Sequence, residues 1–109
     1  MHELAITESV VACVAEYVTG AKVTRVVLQV GKLSGVVADS VRFCFDACAE
    51  GTALEGAALE IIEIPGRARC RDCDAQVELQ DIIALCPCGS ANLELLSGEE
   101  IRIKEVEVA

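Results

Sequence analysis

Apolar residues recur at a helical spacing near the start of the chain and at a strand spacing directly after it. Within residues 3–19 they return about every 3.6 residues, which predicts an amphipathic helix that ends at Gly20. Residues 22–30 are rich in alternating β-branched side chains, which predicts a strand. The two glycines of residues 31–35 predict a turn after that strand.

The rest of the chain predicts a second helix and two further strands, on either side of a cysteine-rich stretch. Residues 39–50 place apolar side chains on one helical face, with Asp39 as the expected N-cap. Residues 59–64 predict a strand. Residues 93–108 regain strand character, but their apolar positions change phase, which predicts a bulge or bend near residues 104–105.

Composition and charge limit the class of protein. The chain has 109 residues, 53 % of them hydrophobic and only 3 % aromatic, so we expect an aliphatic core. Its formal net charge of −9 repels phosphate backbones and attracts cations, although solubility alone is a sufficient reason for such a charge. No apolar run approaches the roughly 20 residues of a membrane span, and no signal peptide is recognisable. Seven cysteines without a secretion signal favour a reducing, cytoplasmic environment.

Four of the cysteines lie close together in the sequence. Cys70 and Cys73 form a C-x-x-C pair, and Cys86 and Cys88 form a tighter C-x-C pair. Zn(II) prefers four thiolates in a tetrahedron, and two such pairs joined by a hairpin supply them. The tighter spacing leaves open whether Cys86 and Cys88 both bind one ion. A zinc ion that only stabilises the fold is as well supported as one with a functional role, and a disulfide is the weaker alternative.

The order of the elements predicts an α+β fold. The last strand needs a partner, and the apolar strands before the cysteine-rich stretch are the natural candidates. We therefore expect a small three-stranded sheet packed with two helices, with a zinc-ribbon-like β module inserted into it. The predicted boundaries give one domain of residues 1–64 and 93–109 and an inserted domain of residues 65–92.

The one histidine of the chain, His2, lies beside the first residue. The α-amine of Met1, the backbone nitrogen of His2 and its imidazole can close adjacent chelate rings around one metal ion, and Glu3 adds a carboxylate. Such a nitrogen-rich plane suits Ni(II) or Cu(II). On composition alone, an exposed N-terminal residue ahead of a helix is the simpler interpretation.

The remaining cysteines and several charged residues are expected to be structural or solvated. Cys13, Cys44 and Cys48 fall on apolar helix faces, so we expect them to pack as small hydrophobic residues. A solvated strand face is expected for three arginines: Arg67, Arg69 and Arg71. We also expect Glu99 and Glu100 to be solvated.

Five short motifs follow one another along the chain: Met1–Leu4, Gly31–Gly35, Arg42–Asp46, the paired cysteines of the module and Ser97–Glu100. Taken together and in order, they resemble the HypA/HybF family of nickel-incorporation proteins for hydrogenase maturation. The resemblance covers essentially the whole chain. One departure is that many relatives carry Cys-Pro-x-Cys where this chain has Cys86-Pro87-Cys88.

The resemblance implies a nickel metallochaperone. Family members bind Ni(II) through a Met-His-Glu start, here Met1, His2 and Glu3, and Zn(II) through a separate module, here the four paired cysteines. They pass nickel toward the large-subunit precursor of [NiFe]-hydrogenase together with a nickel-associated GTPase, and some also serve urease and its accessory proteins. The implied fold is an α/β nickel domain with an inserted zinc domain.

Two other functions compete with this interpretation. A zinc-ribbon adaptor that binds nucleic acid or protein fits the cysteine spacing, but the net charge of −9 opposes binding to nucleic acid. A thiol redox enzyme would need its C-x-x-C pair at the start of a helix, and residues 67–76 do not resemble one. Because no catalytic constellation is visible either, we interpret the chain as a non-enzyme without nucleic-acid or membrane partners.

Overall fold

The computed structural model describes residues 2–81 and 84–109. The elements in chain order are α1 (His2–Tyr17), β1 (Val23–Gly31), α2 (Ala38–Ala49), β2 (Ala58–Ile64), β3 (Gly66–Cys70), β4 (Gln76–Leu79), β5 (Leu93–Ser97) and β6 (Ile101–Val108). The strands form two separate three-stranded sheets, one ordered β2-β1-β6 and the other β4-β3-β5. The predicted α+β class, with two helices and a small three-stranded sheet, is therefore confirmed.

The first sheet carries the hydrophobic core. Its central strand, β1, runs parallel to β2 and antiparallel to β6. The parallel pairing requires a crossover, which α2 supplies. Alternate residues of β1, including Val26, Leu28 and Val30, face the helices and pack with Val14 of α1 and Phe45 of α2. The core is aliphatic, as the composition predicts.

The second sheet has a much smaller core. Its central strand, β3, is antiparallel to both neighbours. Among the described residues of this module, burial of apolar side chains is confined to a few positions: Ala68, Cys70, Leu79 and Cys86. Two of these positions are cysteines, so little apolar surface is available to stabilise the module by burial alone.

The turn after β1 connects the two sheets. The amide of Lys32 donates to Ile64 O at 2.8 Å, at the end of β2, and the amide of Leu33 donates to Gly98 O at 2.7 Å, between β5 and β6. At this point a Cβ on Gly31 would lie 2.0 Å from Gly98 O. The backbones approach so closely that a side chain is excluded there.

Most element predictions are confirmed to within two residues, and the last strand does pair with β1. The predicted bulge is also confirmed, because the register shifts where β6 passes from Glu105 to Ile103 opposite Val27 and Leu28. Two predictions are wrong. Asp39 is not the N-cap of α2, since Val37 occupies that position without a side-chain hydrogen bond.

The second wrong prediction is that residues 93–108 belong as one stretch to the helix-covered sheet. Leu93–Ser97 pairs with β3 in the second sheet rather than with the helix-covered sheet. The apolar stretch at the C-terminus is therefore two strands, separated by Gly98 and the two glutamates after it. No helix in the described part of the chain is long and apolar enough to span a bilayer.

Candidate metal centres

The four paired cysteines converge at the end of the second sheet. Their sulfur atoms all lie within 4.8 Å of one another. The Sγ atoms of Cys70 and Cys88 are 3.7 Å apart, and those of Cys73 and Cys86 are 3.6 Å apart. In a tetrahedral site with Zn–S bonds of about 2.3 Å, neighbouring sulfurs lie about 3.8 Å apart. The sulfur positions therefore fit a zinc ion, and the C-x-C spacing does not prevent the second pair from converging.

Two tight turns bring the sulfurs together. In the first turn, the amide of Asp74 donates to Cys70 O at 2.8 Å, and Asp74 takes a positive φ of 64°. In the second, the amide of Gly89 donates to Cys86 O at 2.7 Å, and Gly89 has a φ of 93°. Glycine is the residue that adopts such a conformation most readily, so its position after Cys88 is a sequence signal for this turn.

The pKa values of Cys70 and Cys86 are shifted in opposite directions by their surroundings. The amide of Cys73 and then that of Asp72 stabilise the thiolate of Cys70 and lower its pKa to about 7, against the effect of burial. The amide of Cys88 acts in the same sense on Cys86, but burial and the neighbouring thiols outweigh it and raise the pKa of Cys86 to about 12. The first thiolate of the cluster therefore forms readily, whereas ionisation of further thiols is opposed by burial and by repulsion between thiolates. A dication bound between the sulfurs would relieve this repulsion.

The N-terminal residues are organised around the start of α2. Met1 lies outside the described residues, whereas His2 and Glu3 form the first turn of α1. The His2 Nε2 atom lies 3.2 Å from Glu3 Oε2. The same Glu3 oxygen accepts a hydrogen bond from the amide of Val37 at 3.3 Å. Glu3 therefore joins the histidine to the first turn of α2, which has no side-chain cap of its own.

This contact favours the ionised form of Glu3. The hydrogen bond from the Val37 amide is the largest influence that lowers the pKa of the Glu3 carboxyl, with a smaller contribution from His2. A carboxylate at a helix N-terminus is also favoured by the helix dipole. The sequence gives no signal of this contact, because residues 3 and 37 are far apart in the chain.

Comparison with known proteins settles the family. The family model for hydrogenase and urease nickel incorporation, described as the metallochaperone HypA, matches residues 1–108. The chain belongs to the HypA family. The family resemblance seen in the short motifs is thereby confirmed, as is the interpretation as a metallochaperone rather than an enzyme.

Curated relatives match this chain along almost its whole length. The hydrogenase maturation factor HypA of Trichormus variabilis is 56 % identical over 108 residues, which cover 99 % of this chain and 96 % of that protein. The HypA of Geotalea uraniireducens is 48 % identical over 109 residues and 99 % of each chain. The HypA family binds nickel and has a zinc site, which confirms the predicted metals, Ni(II) and Zn(II).

Solved structures support the HypA fold. The solution structure of the Ni metallochaperone HypA from Helicobacter pylori has a TM-score of 0.66 at 23 % identity and covers 97 % of this chain and 96 % of that one. A second solution structure of a HypA protein has a TM-score of 0.69 at 24 % identity, covering 100 % and 97 %. At these identities the similarity concerns the fold.

The other cysteines do not share one environment. Cys44 and Cys48 are half-buried on α2, in keeping with the packing role predicted for them. Cys13 is exposed, so the prediction that it packs in the core is wrong. Its position one residue before the buried Val14 places it at the margin of the apolar face of α1.

The charged residues around the cysteine module are mostly paired within it. Arg69 donates to Asp74 and Glu94, each at 2.9 Å, and Arg71 donates to Asn92 at 3.2 Å. These arginines are exposed, as predicted, but they are held by the module itself.

Glu100 is not simply solvated. It is half-buried, and its Oε1 accepts a hydrogen bond from the amide of Gly98 at 2.6 Å. The prediction that Glu100 is a solvated side chain is therefore wrong, while the neighbouring Glu99 is exposed.

Proposed function

We propose that this HypA protein captures one Ni(II) ion at its N-terminus and delivers it for the maturation of [NiFe]-hydrogenase. The proposed donors are the α-amine of Met1 and the amide nitrogen and imidazole of His2, with Glu3 in support. The supporting observation is that Glu3 Oε2 lies 3.2 Å from His2 Nε2. This contact engages the outer imidazole nitrogen and leaves Nδ1 for the chelate with the amide nitrogen.

The geometry of Glu3 suits a supporting role. Its carboxylate is oriented by the amide of Val37, so it can hold the imidazole in one orientation while nickel is bound and released. The donors of an amine, an amide and an imidazole form a nitrogen-rich plane, which favours Ni(II) over Zn(II). The acidic surface, with a net charge of −9, raises the local concentration of cations around the site.

We propose that Cys70, Cys73, Cys86 and Cys88 hold a separate Zn(II) ion. This proposal is supported by sulfur–sulfur distances of 3.6 and 3.7 Å, which fit a tetrahedron of thiolates. When bound, the ion neutralises thiolates that otherwise repel one another. The helix-covered sheet would then carry nickel and the second sheet zinc.

The proposed partners follow from the family. A nickel-associated GTPase and the large-subunit precursor of hydrogenase would receive or relay the ion, and urease accessory proteins are a further destination. The seven cysteines of the chain, four of them proposed zinc ligands, favour a reducing cytoplasm as the place where this occurs. Binding to nucleic acid is disfavoured, because Arg69 and Arg71 are engaged within the module and the chain is acidic.

The nickel proposal is tested by titrating the metal-free N-terminal site of zinc-loaded protein with Ni(II) in a calorimeter. The parent should bind one tight Ni(II), and His2→Ala should weaken that binding by at least about 100-fold because it removes the imidazole. Glu8→Gln, in the same helix and exposed, is the matched control and should bind as the parent does. Tight binding by the His2→Ala variant would refute the proposed site.

A further inference from the structure

A hydrogen bond between two side chains joins the two turns that carry the paired cysteines. The hydroxyl of Ser90 donates to the carboxylate of Asp72. Asp72 lies within the C-x-x-C pair, and Ser90 lies shortly after the C-x-C pair. This hydrogen bond, the polar link, therefore connects the same two turns that the sulfur cluster connects.

The hydroxyl of Ser90 is held in the orientation that the polar link needs. Its oxygen accepts a hydrogen bond from the amide of Asn92 at 3.0 Å, so its one proton is left for Asp72. The carbonyl oxygen of Ser90 accepts from the amide of Cys86 at 2.9 Å. Ser90 is thus tied to one cysteine turn by its backbone and to the other turn by its side chain.

Asp72 is tied to both turns in a similar way. Its amide donates to the sulfur of Cys70, while its carboxylate accepts from Ser90. A hydrogen bond to a carboxylate is roughly twice as strong as one between neutral groups. The neighbouring amide of Arg71 donates to Asn92 O at 2.9 Å, which holds the backbone on both sides of the polar link in place.

The four sulfurs of the cluster differ in their access to solvent. Cys70 and Cys86 are buried, whereas Cys73 and Cys88 are exposed. Each pair therefore contributes one inner and one outer sulfur. A chelator can reach the outer sulfurs directly, but the two inner sulfurs belong to different turns. Release of an ion from the inner sulfurs requires the turns to move apart, and the polar link opposes that movement.

We propose that Asp72 and Ser90 are positioning residues of the zinc site, which hold the two cysteine turns together and slow the release of Zn(II). This inference rests on the proposed zinc site and adds to it two residues that do not bind the ion. Outer hydrogen bonds of this kind orient metal ligands, and their removal typically lowers metal affinity by about 10- to 100-fold. Slow release also keeps the thiolates from capturing nickel, because four free thiolates bind other divalent metals.

The proposal is tested by mixing the zinc-loaded full chain with an excess of the chromogenic chelator pyridylazoresorcinol and following zinc transfer by absorbance. Ser90→Ala should release zinc about tenfold faster than the parent, because it removes the donor of the polar link. The double variant with Asp72→Ala should be no faster than the faster single variant, since both changes break the same hydrogen bond.

Asp72→Ala alone separates the hydrogen bond from an effect of charge. It removes the acceptor of the polar link and should also speed release about tenfold. It removes at the same time a negative charge that repels the thiolates, and that loss of charge by itself would slow release. Faster release by Asp72→Ala therefore reports the loss of the polar link.

Two further serine variants are the controls. Ser90→Thr keeps the hydroxyl and should release zinc at nearly the rate of the parent. Ser97→Ala makes the same change as Ser90→Ala at the other end of the module, where Ser97 donates to Pro65 O at 3.1 Å. Because Ser97 has no contact with the cysteine turns, Ser97→Ala should also keep the rate of the parent.

Hydrogen exchange of the zinc-loaded variants distinguishes positioning from loss of the fold. β3, β4 and β5 should be as protected in Ser90→Ala as in the parent. Faster release together with loss of this protection would overturn the proposal. An unchanged rate in Ser90→Ala or Asp72→Ala would overturn it as well and leave the zinc site intact, whereas a parent that binds no zinc would overturn both.

Discussion

The two sheets of this HypA protein are of equal strand number but are stabilised in different ways. The sheet ordered β2-β1-β6 is covered on one face by α1 and α2 and buries a continuous aliphatic core that includes Val26, Leu28 and Phe45. The sheet ordered β4-β3-β5 has no covering helix in the described part of the chain, and its module buries few side chains, among them Cys70 at the end of β3 and Cys86 in a turn. Strand pairing alone is marginal in water without an apolar face that is covered.

The difference indicates which interactions hold each region together. The helix-covered sheet is stabilised mainly by burial of apolar surface in its aliphatic core. The cysteine module has little apolar burial, and four thiolates as close together as its sulfurs repel one another unless a cation lies between them. With the proposed zinc site, the protein would combine a unit that folds by burial with a unit whose folding is coupled to a metal.

The largest expected effect is the loss of the cysteine module on removal of zinc. Chelation at neutral pH should abolish amide hydrogen-exchange protection in β3, β4 and β5, because the module has too little core to remain folded. Protection in α1, α2 and β1 should persist. The measurement is hydrogen exchange followed by NMR on zinc-loaded and chelated protein.

A matched cysteine substitution controls for general thiol effects. Cys73→Ser should reproduce the loss of protection, whereas Cys13→Ser, an exposed cysteine outside the module, should retain one zinc ion and the full protection pattern. If β3 to β5 stay protected without metal, the contrast between the two sheets is wrong.

A smaller effect is expected from a substitution that creates a cavity in the core of the first sheet. Leu28 is 1 % exposed, so Leu28→Ala should reduce the free energy of unfolding of this unit. The expected loss is about 2–5 kcal/mol in urea denaturation, as for other buried leucines. Zinc content should not change, because Leu28 lies in the helix-covered core.

The control for Leu28→Ala is the removal of an exposed aromatic side chain. Phe43 is 89 % exposed, and Phe43→Ala should change the free energy of unfolding by no more than about 0.5 kcal/mol. Equal effects of the two substitutions would show that burial does not stabilise the first unit as described.

The junction between the sheets should be sensitive to a single methyl group. A Cβ on Gly31 would lie 2.0 Å from Gly98 O, so Gly31→Ala should force the backbones apart. We expect a loss of about 1–3 kcal/mol, as for other overpacked sites, and changes of amide chemical shifts in both sheets.

Gly20 is the matched control for the junction. It has a φ of 83°, but a Cβ added to it would have no atom within 4 Å, so Gly20→Ala brings backbone strain without a clash. Its chemical-shift changes should remain in the turn between α1 and β1. If the amide chemical shifts of Gly31→Ala changed in one sheet only, the turn would not join the two units.

The smallest expected effect is a dependence on pH at the same junction. Hydrogen bonds from the amides of Glu100 itself and of Gly98 hold the pKa of the Glu100 carboxyl below its ordinary value. A carboxylate with a lowered pKa stabilises the folded state above its ordinary pKa, and this stabilisation is lost as the pH falls through the folded-state pKa.

Glu100→Gln should therefore be less stable than the parent near neutral pH and equal to it in acid. Urea denaturation across a pH series measures the difference, and Glu99→Gln is the exposed control that should show no such trend. If the difference in free energy of unfolding between the parent and Glu100→Gln grew toward low pH, the hydrogen bond from the Gly98 amide to the Glu100 carboxylate would not have the stabilising role assigned to it.

The secondary structure was largely predictable because the apolar residues of the helix-covered unit follow regular periods. The bulge was also predictable, since the change of phase in β6 is visible in the sequence. β5 could not be separated from β6, because its alternation continues the same apolar stretch and only pairing with β3 assigns it to the other sheet.

The cysteine cluster was predictable from spacing, and the N-terminal contacts were not. Convergence of Cys86 and Cys88 depends on a turn with Gly89 at positive φ, which the sequence suggests but does not establish. The contact of Glu3 with Val37 joins residues distant in the chain, and no local pattern encodes it. Such long-range polar contacts depend on how the helices pack.

X-ray absorption at the nickel and zinc edges of one doubly loaded sample tests the central claim most directly. The account predicts only nitrogen and oxygen neighbours around nickel, with the multiple-scattering signature of one imidazole, and four sulfur neighbours around zinc at about 2.3 Å. Sulfur neighbours around nickel, or nitrogen neighbours around zinc, would contradict the proposed division of the two metals between the two units.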